Sequence, residues 1–272
     1  MKRRRSSFPI RSDVLRAGAV AALVVIGCQS SPSAVTSGPA PTMAPASKPA
    51  HPALSLEYLE VLTGGATNGE AEPLIVALHG LGARPDNFID LFDDFPAKAR
   101  IIAPHSHTPF SDGFQWFAPY GATSDESAPG MSKAADEVGA FIDEAAKAFP
   151  TLGTPIVIGF SQGGALSYAI AVRHPTSVAA SFPISGWLPP PLFPDALPAA
   201  APAIFAFHGN ADERVPLERD QSAVSALEKL GYHVTLKIAN GVPHAIPPEV
   251  RKDVFAALAT EVDAQRSKGA QR

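Results

Sequence analysis

Three residues that lie far apart in the chain have, together, the chemistry of a proton relay. Ser161 sits in Gly159-Phe160-Ser161-Gln162-Gly163, Asp212 in "HGNADERVP" (208–216) and His244 in "NGVPHAIPPE" (240–249). A serine hydroxyl is a poor nucleophile until a base takes its proton, and the usual base is a histidine oriented by a carboxylate. The Gly-x-Ser-x-Gly spacing alone is weak evidence, because a chain this long would contain one by chance in roughly one case in ten. Its setting strengthens it. The motif directly follows the apolar run "PIVI" (155–158) and opens a helical stretch. A sharp strand-to-helix turn is what lifts a serine into a strained, exposed position. Asp212 and His244 each follow a later strand, in the order Ser, Asp, His. Glu213 is the rival carboxylate beside Asp212.

Acyl transfer also needs donors for the negative charge that develops on the carbonyl oxygen. The backbone N–H after the serine belongs to Gln162, and its main chain rather than its side chain is expected to act. A second donor is expected from "HGLG" (79–82), which follows the apolar run "LIV". The Leu81 N–H is the first candidate and Gly82 the second. Gly80 and Gly82 lack side chains and so let a substrate approach the backbone closely.

These loops require a frame. Short, nearly all-apolar runs at 73–80, 99–105, 155–161, 178–186 and 203–209 read as strands buried on both faces. Runs 54–62 and 233–239 alternate apolar and polar residues and suit more exposed strands. Between them lie helical stretches at 132–149, opened by a Ser132 cap, and at 163–174, 218–231 and 248–266. Alternation of this kind predicts an α/β fold with a mostly parallel sheet. The chain shows no internal repeat and no second domain. Only 16 residues (187–202), rich in proline, separate two of the strands. That is too short for an inserted cap domain, so an open site is expected, with Trp187 and Leu188 as a small rim.

The N-terminal residues read differently. "MKRRR", Arg11 and Arg16 precede an apolar run of 11 residues, Ala17–Gly27. A membrane span needs about 20 such residues, so residues 1–27 read as a signal peptide. Val25-Ile26-Gly27-Cys28 resembles a bacterial lipobox, which makes Cys28 a lipidation site and the chain an exported, membrane-anchored lipoprotein. Cys28 is the single cysteine, so no internal disulfide forms. Residues 28–53 are rich in Pro, Ala, Ser and Thr and read as a disordered tether. Residues 54–266 are the expected catalytic domain and 267–272 a disordered tail. The net charge of −4 gives no basic excess that would point to nucleic acid. Oligomeric state is not legible.

Taken together, "HGLG", "GFSQGG", "HGNADERVP" and "GVPHAIPPE" resemble the phospholipase/carboxylesterase family of α/β hydrolases, which includes acyl-protein thioesterases. The resemblance covers about residues 72–262. It implies an uncapped α/β-hydrolase fold, Ser161 as nucleophile, His244 as base, Asp212 as orienting acid, an oxyanion hole from the Leu81 and Gln162 N–H groups, and no cofactor. "GFQWFAP" (113–119) resembles the family's aromatic loop, which implies that Trp116 and Phe117 touch substrate. Export and Pro243, where glycine is common, set this chain apart. The expected activity is hydrolysis of carboxylic esters. Polyester or feruloyl-type esters, acyl thioesters and lysophospholipids are alternative substrates, and a non-catalytic binding module is the reading from a different class. His105 and His107 alternate on an extended segment and offer two metal ligands, but no third has a recognisable spacing. His79 and His208, each before a glycine at a strand end, read as buried structural residues.

Overall fold

The structure, a computed structural model, describes residues 52–118 and 124–270. The expected signal peptide, Cys28 and nearly all of the tether lie outside the described residues, as do Pro119 and residues 271–272. No helix among the described residues is long and apolar enough to cross a membrane.

Nine strands and five α-helices follow in the order β1 (Tyr58–Thr63), β2 (Leu74–Leu78), α1 (Pro85–Ile89), β3 (Ala99–Pro104), β4 (Thr108–Phe110), β5 (Gly113–Gln115), α2 (Ala128–Ala148), β6 (Ile156–Phe160), α3 (Gln162–Arg173), β7 (Ala180–Ile184), β8 (Ala203–Gly209), α4 (Leu217–Leu230), β9 (Val234–Ala239) and α5 (Pro248–Gly269) among the described residues. Seven strands make one sheet in the order β1-β3-β2-β6-β7-β8-β9. Only β1 runs antiparallel to its neighbour. This is the expected α/β architecture.

The apolar runs are continuous because alternate residues serve different cores. In β2, Leu74, Val76 and Leu78 face the core built with α2, α3 and α4. Ile75 and Ala77 face the opposite core, which contains Phe92 and, from α5, Phe255 and Leu258. Full burial on both faces is what a parallel sheet between helical layers imposes.

The strand order places the site. From β2 the chain passes outward to β3, then returns to β6 on the other side of β2. Loops leaving the carboxyl ends of β2 and β6 therefore diverge, and a crevice opens between them. The loops that begin with His79 and with Ser161 leave from those two ends.

Some elements differ from expectation. Helix α2 begins at Ala128 after Ser127, and Ser132 is inside the helix rather than its cap. Pro129 explains the earlier start, since its fixed φ suits the first turn of a helix. Helix α5 continues to Gly269, so the first residues of the expected tail are helical. The connection from β7 to β8 contains one 3-10 turn, Pro190–Leu192, and no cap helix.

Candidate active site

Ser161 is the single residue between the end of β6 and the start of α3, and its backbone is held at φ 57°, ψ −116°. That pair is outside the regions open to a residue with a side chain. Close packing enforces it. A Cβ on Gly163 would come within 2.1 Å of the Leu78 carbonyl oxygen, and one on Gly159 within 2.2 Å of the Gly163 carbonyl oxygen. Small residues at both places let α3 press against the ends of β2 and β6. The Ser161 N–H is tied to the Ile184 carbonyl at 2.9 Å.

The three sequence candidates meet. Ser161 Oγ lies 2.9 Å from His244 Nε2, and His244 Nδ1 lies 2.7 Å from Asp212 Oδ2. Asp212 can only accept, so Nδ1 carries the proton and Nε2 is left to receive the serine's. The other Asp212 oxygen, Oδ1, accepts the N–H groups of Arg214 and Val215, both at 2.9 Å. Burial opposes charge on Asp212, but the Val215 N–H, the His244 bond and the Arg214 N–H outweigh it and hold the carboxyl below its usual range. Phe160 lies against the His244 ring, with centroids 4.7 Å apart. Glu213, the rival acid, is exposed and makes no contact in this chain of bonds.

The two donor candidates on the first loop separate cleanly. The Gly82 N–H is already committed to the Phe114 carbonyl at 2.8 Å, whereas the Leu81 and Gln162 N–H groups have no partner among the described residues. Both of those residues line the cavity around Ser161, about 420 Å³ in volume. Gly82 is nonetheless needed where it stands, because its φ of 73° is left-handed.

The cavity wall is made by Gly80, Leu81, Ala83, Asn87, Phe88, Phe160, Gln162, Trp187, Arg214 and Val215 around Ser161 and His244. Trp187 is part of this wall. Leu188 is not; it lines a separate depression with Pro190 and Arg219.

Trp116 and Phe117 also depart from expectation. They are buried rather than part of the cavity wall. The Trp116 indole stacks on His79 at 4.9 Å and donates to the His79 carbonyl at 3.0 Å. The Gln162 side chain explains the rest. Its Oε1 accepts the Trp116 N–H at 2.7 Å, and its Nε2 donates to the Phe117 carbonyl at 2.8 Å. The expectation that only the Gln162 backbone mattered is therefore corrected: its side chain locks the aromatic segment to the serine turn. The β4–β5 hairpin completes the brace, since Phe114 exchanges bonds with Gly82 and Ala83.

This brace has a measurable consequence. Gln162→Ala keeps the backbone N–H but leaves the buried Trp116 N–H and Phe117 carbonyl without partners. An unsatisfied buried group costs about 1–3 kcal/mol. The variant should melt lower and lose roughly tenfold in kcat/KM through loop displacement. Equal activity and equal melting temperature would remove the brace from the account.

His79 is buried, and that burial pushes its imidazole down to about 4, so it is neutral near pH 7. His105 and His107 do not converge. His105 stacks on Phe114 and approaches Glu57, while His107 faces Glu137. No group of three or more potential metal ligands occurs among the described residues.

Residues 64–261 match the family described as phospholipase/carboxylesterase. The chain belongs to that family. A probable carboxylesterase of Oryza sativa subsp. japonica is 32% identical over 49% of this chain and 53% of its own length. A probable inactive carboxylesterase of the same plant is 28% identical over 63% of this chain and 78% of its own. The crystal structure of esterase PE8 has a TM-score of 0.64 at 28% identity, covering 74% of this chain and 99% of that one. Apart from the second rice protein, the chain spans about half the length of these curated relatives.

Several parts of this phospholipase/carboxylesterase site escaped the sequence reading. Asn87 and Phe88 come from α1, a helix of five residues, too short to show a period. Phe160, the variable residue before the serine, was legible only as a strand end. Arg214 is, among the described residues, the one permanently charged residue on the cavity wall, yet in sequence it is an ordinary loop charge.

Proposed function

We propose that the protein is a serine esterase that hydrolyses carboxylic esters through an acyl-enzyme on Ser161. The observation that carries this reading is the continuous chain Ser161 Oγ–His244–Asp212, at 2.9 and 2.7 Å, on a serine held in strained geometry. As Ser161 Oγ bonds to the ester carbonyl carbon, its proton passes to His244 Nε2. The carbonyl oxygen, now negative, moves toward the free N–H groups of Leu81 and Gln162. The first turn of α3 adds the favourable end of its dipole. Collapse of this intermediate breaks the ester C–O bond, and His244 returns the proton to the departing alkoxide. Water then repeats the sequence against the acyl-enzyme and releases the acid. Asp212 keeps the proton on His244 Nδ1 and stabilises the imidazolium in both steps.

A fluorophosphonate probe tests the reading, because it labels only an activated serine. Stoichiometric labelling at Ser161 is expected. An unlabelled, folded protein would overturn the esterase reading. Thioesters, lysophospholipids and polymeric or feruloyl esters are substrate alternatives for the same site, and a series of matched esters and thioesters separates them. In the cell we place the enzyme outside the cytoplasm, anchored through lipid on Cys28 by the 28–53 tether. Metabolic labelling with an alkynyl fatty acid, lost in Cys28→Ser, checks this.

The pH profile follows from the same arrangement. A proton on His244 Nε2 removes the acceptor for the Ser161 hydroxyl. Asp212 is held below the usual carboxylate range, so in mildly acidic solution it remains the acceptor for His244 Nδ1. The acid limb of kcat/KM should therefore fall about tenfold per pH unit, as for one proton. A flat limb, or a two-proton slope, contradicts a histidine base backed by an ionised aspartate.

A further inference from the structure

Asp212 has a second histidine beside it. His208, the penultimate residue of β8, places Nε2 3.4 Å from Asp212 Oδ2, the same oxygen that receives His244. The two imidazoles flank one carboxylate. His208 Nε2 also lies 2.9 Å from the Val215 carbonyl, and Val215 in turn donates its N–H to Asp212 Oδ1. On the far side, His208 Nδ1 is 2.7 Å from Asp220 Oδ2. Asp220 Oδ1 accepts the Tyr168 hydroxyl at 2.5 Å. The network thus ties α3, α4, β8 and the loop that carries Asp212. The side chains of His208, Asp212 and Asp220 are fully buried.

The chemistry of the donors and acceptors constrains the protons. Both groups facing His208 Nε2 are acceptors, a carbonyl and a carboxylate, so Nε2 bears hydrogen. Nδ1 faces the Asp220 carboxyl. One proton therefore lies between Nδ1 and Asp220, and its position decides whether His208 is charged. The other titratable groups close to this pair are Asp212 and, one bond further, Tyr168 and His244. Glu213 and Arg214, on the same loop, are exposed.

We propose that His208 is held as an imidazolium between Asp220 and Asp212, and that it is a positioning residue that keeps His244 free to act as the base. This rests on the esterase reading above. His208 Nε2 and His244 Nδ1 share Asp212 Oδ2, so a positive charge at His208 offsets the carboxylate beside His244; without it that carboxylate would favour the His244 imidazolium, the wrong state to receive a proton from Ser161. With His208 charged, the cluster carries one net negative charge at rest and becomes neutral when His244 takes the serine proton. Burial works against charge on His208, but the Asp220 carboxylate, the Val215 carbonyl and the Asp212 charge outweigh it and raise its affinity for a proton above the ordinary range. Burial holds the Asp220 carboxyl above its usual range, and its bonds from His208 and Tyr168 offset this only in part.

The decisive measurement is the acid limb of kcat/KM in His208→Gln and Asp220→Asn. The glutamine amide can still donate to the Val215 carbonyl, so it removes charge while keeping a donor. Asp220→Asn removes the counter-charge and leaves His208 neutral. In His208→Gln the limb should move to higher pH by about one unit, and in Asp220→Asn, which keeps the net charge but removes the positive charge nearest Asp212, in the same direction by less, with KM within twofold of the parent in both. A purely structural role would lower kcat and melting temperature at every pH and leave the limb in place, and that result overturns the proposal. Nitrogen-15 NMR of histidine-labelled parent protein gives a reading that needs no variant. Both His208 ring nitrogens should be protonated from pH 6 to 8; an unprotonated Nδ1 in that range overturns the proposal even if neither variant folds. Failure of the esterase reading is separately visible, because Ser161 would then not react with the fluorophosphonate.

Discussion

Ser161→Ala should fold as the parent does and lose ester hydrolysis by at least about 10⁴-fold. The whole proposed mechanism passes through one oxygen. His244, Asp212 and the Leu81 and Gln162 N–H groups all remain in the variant, but no covalent intermediate can form. Whatever hydrolysis persists comes from water bound near His244, helped by the remaining donors. Because the substitution removes one hydroxyl from a half-buried position, circular dichroism and the melting curve should match the parent or show slight stabilisation. Initial rates on short p-nitrophenyl esters decide the matter. Activity above about one hundredth of the parent would require another nucleophile, and the Ser161–His244–Asp212 chain would then be only an architectural feature.

Gly163→Ala should damage both the packing and the catalytic site through a single methyl group. Its Cβ would sit 2.1 Å from the Leu78 carbonyl oxygen and 2.7 Å from the His79 carbonyl oxygen. Both obstacles are backbone, so no side chain can swing aside. Relief requires the first turn of α3 to back away from the end of β2. Overpacking of this kind costs typically about 1–3 kcal/mol, and a backbone obstacle belongs at the upper end. The catalytic cost is greater. The same displacement separates the Gln162 N–H from the Leu81 N–H and shifts Ser161 against His244. Misplacement of about 1 Å is worth on the order of 10²-fold in rate. The variant should therefore be expressed with a lowered melting temperature and lose roughly 100-fold in kcat. Parent-like kcat would mean that the close approach of α3 to β2 has no bearing on the site.

The parts legible in the sequence were those with a strong local cause. β2 reads as a buried strand because Leu74, Val76 and Leu78 must satisfy one core while Ile75 and Ala77 satisfy another. Ser161, Asp212 and His244 were legible because each follows a strand, and the order of strands restricts where their loops meet. The Gln162 side chain was not legible. Its partners are main-chain atoms 45 and 46 residues away, and nothing in its own neighbourhood announces them. Trp116 and Phe117 were misplaced for the same reason: an aromatic loop near a site has the same sequence whether it faces inward or outward. Ser132 shows a different limit. A serine before a helical period is a good cap, but Pro129 had already set the first turn. His208 was legible as a buried structural residue, but Asp220 was only one more residue of a helical stretch, and the relation of both to Asp212 depends on the packing of α4 against β8.

The torsion angles of Ser161 have a meaning for how the protein was selected. A residue at φ 57°, ψ −116° costs the folded state on the order of 1–3 kcal/mol. A domain of this kind has a total margin of about 5–15 kcal/mol. One pair of torsions therefore consumes a noticeable part of it, and a glycine at position 161 would recover much of that loss. Selection for stability alone removes such a serine over time. Its presence at a strained point of the described backbone records an opposing pressure, and the trace of that history can be read from a single chain without comparing it to any relative.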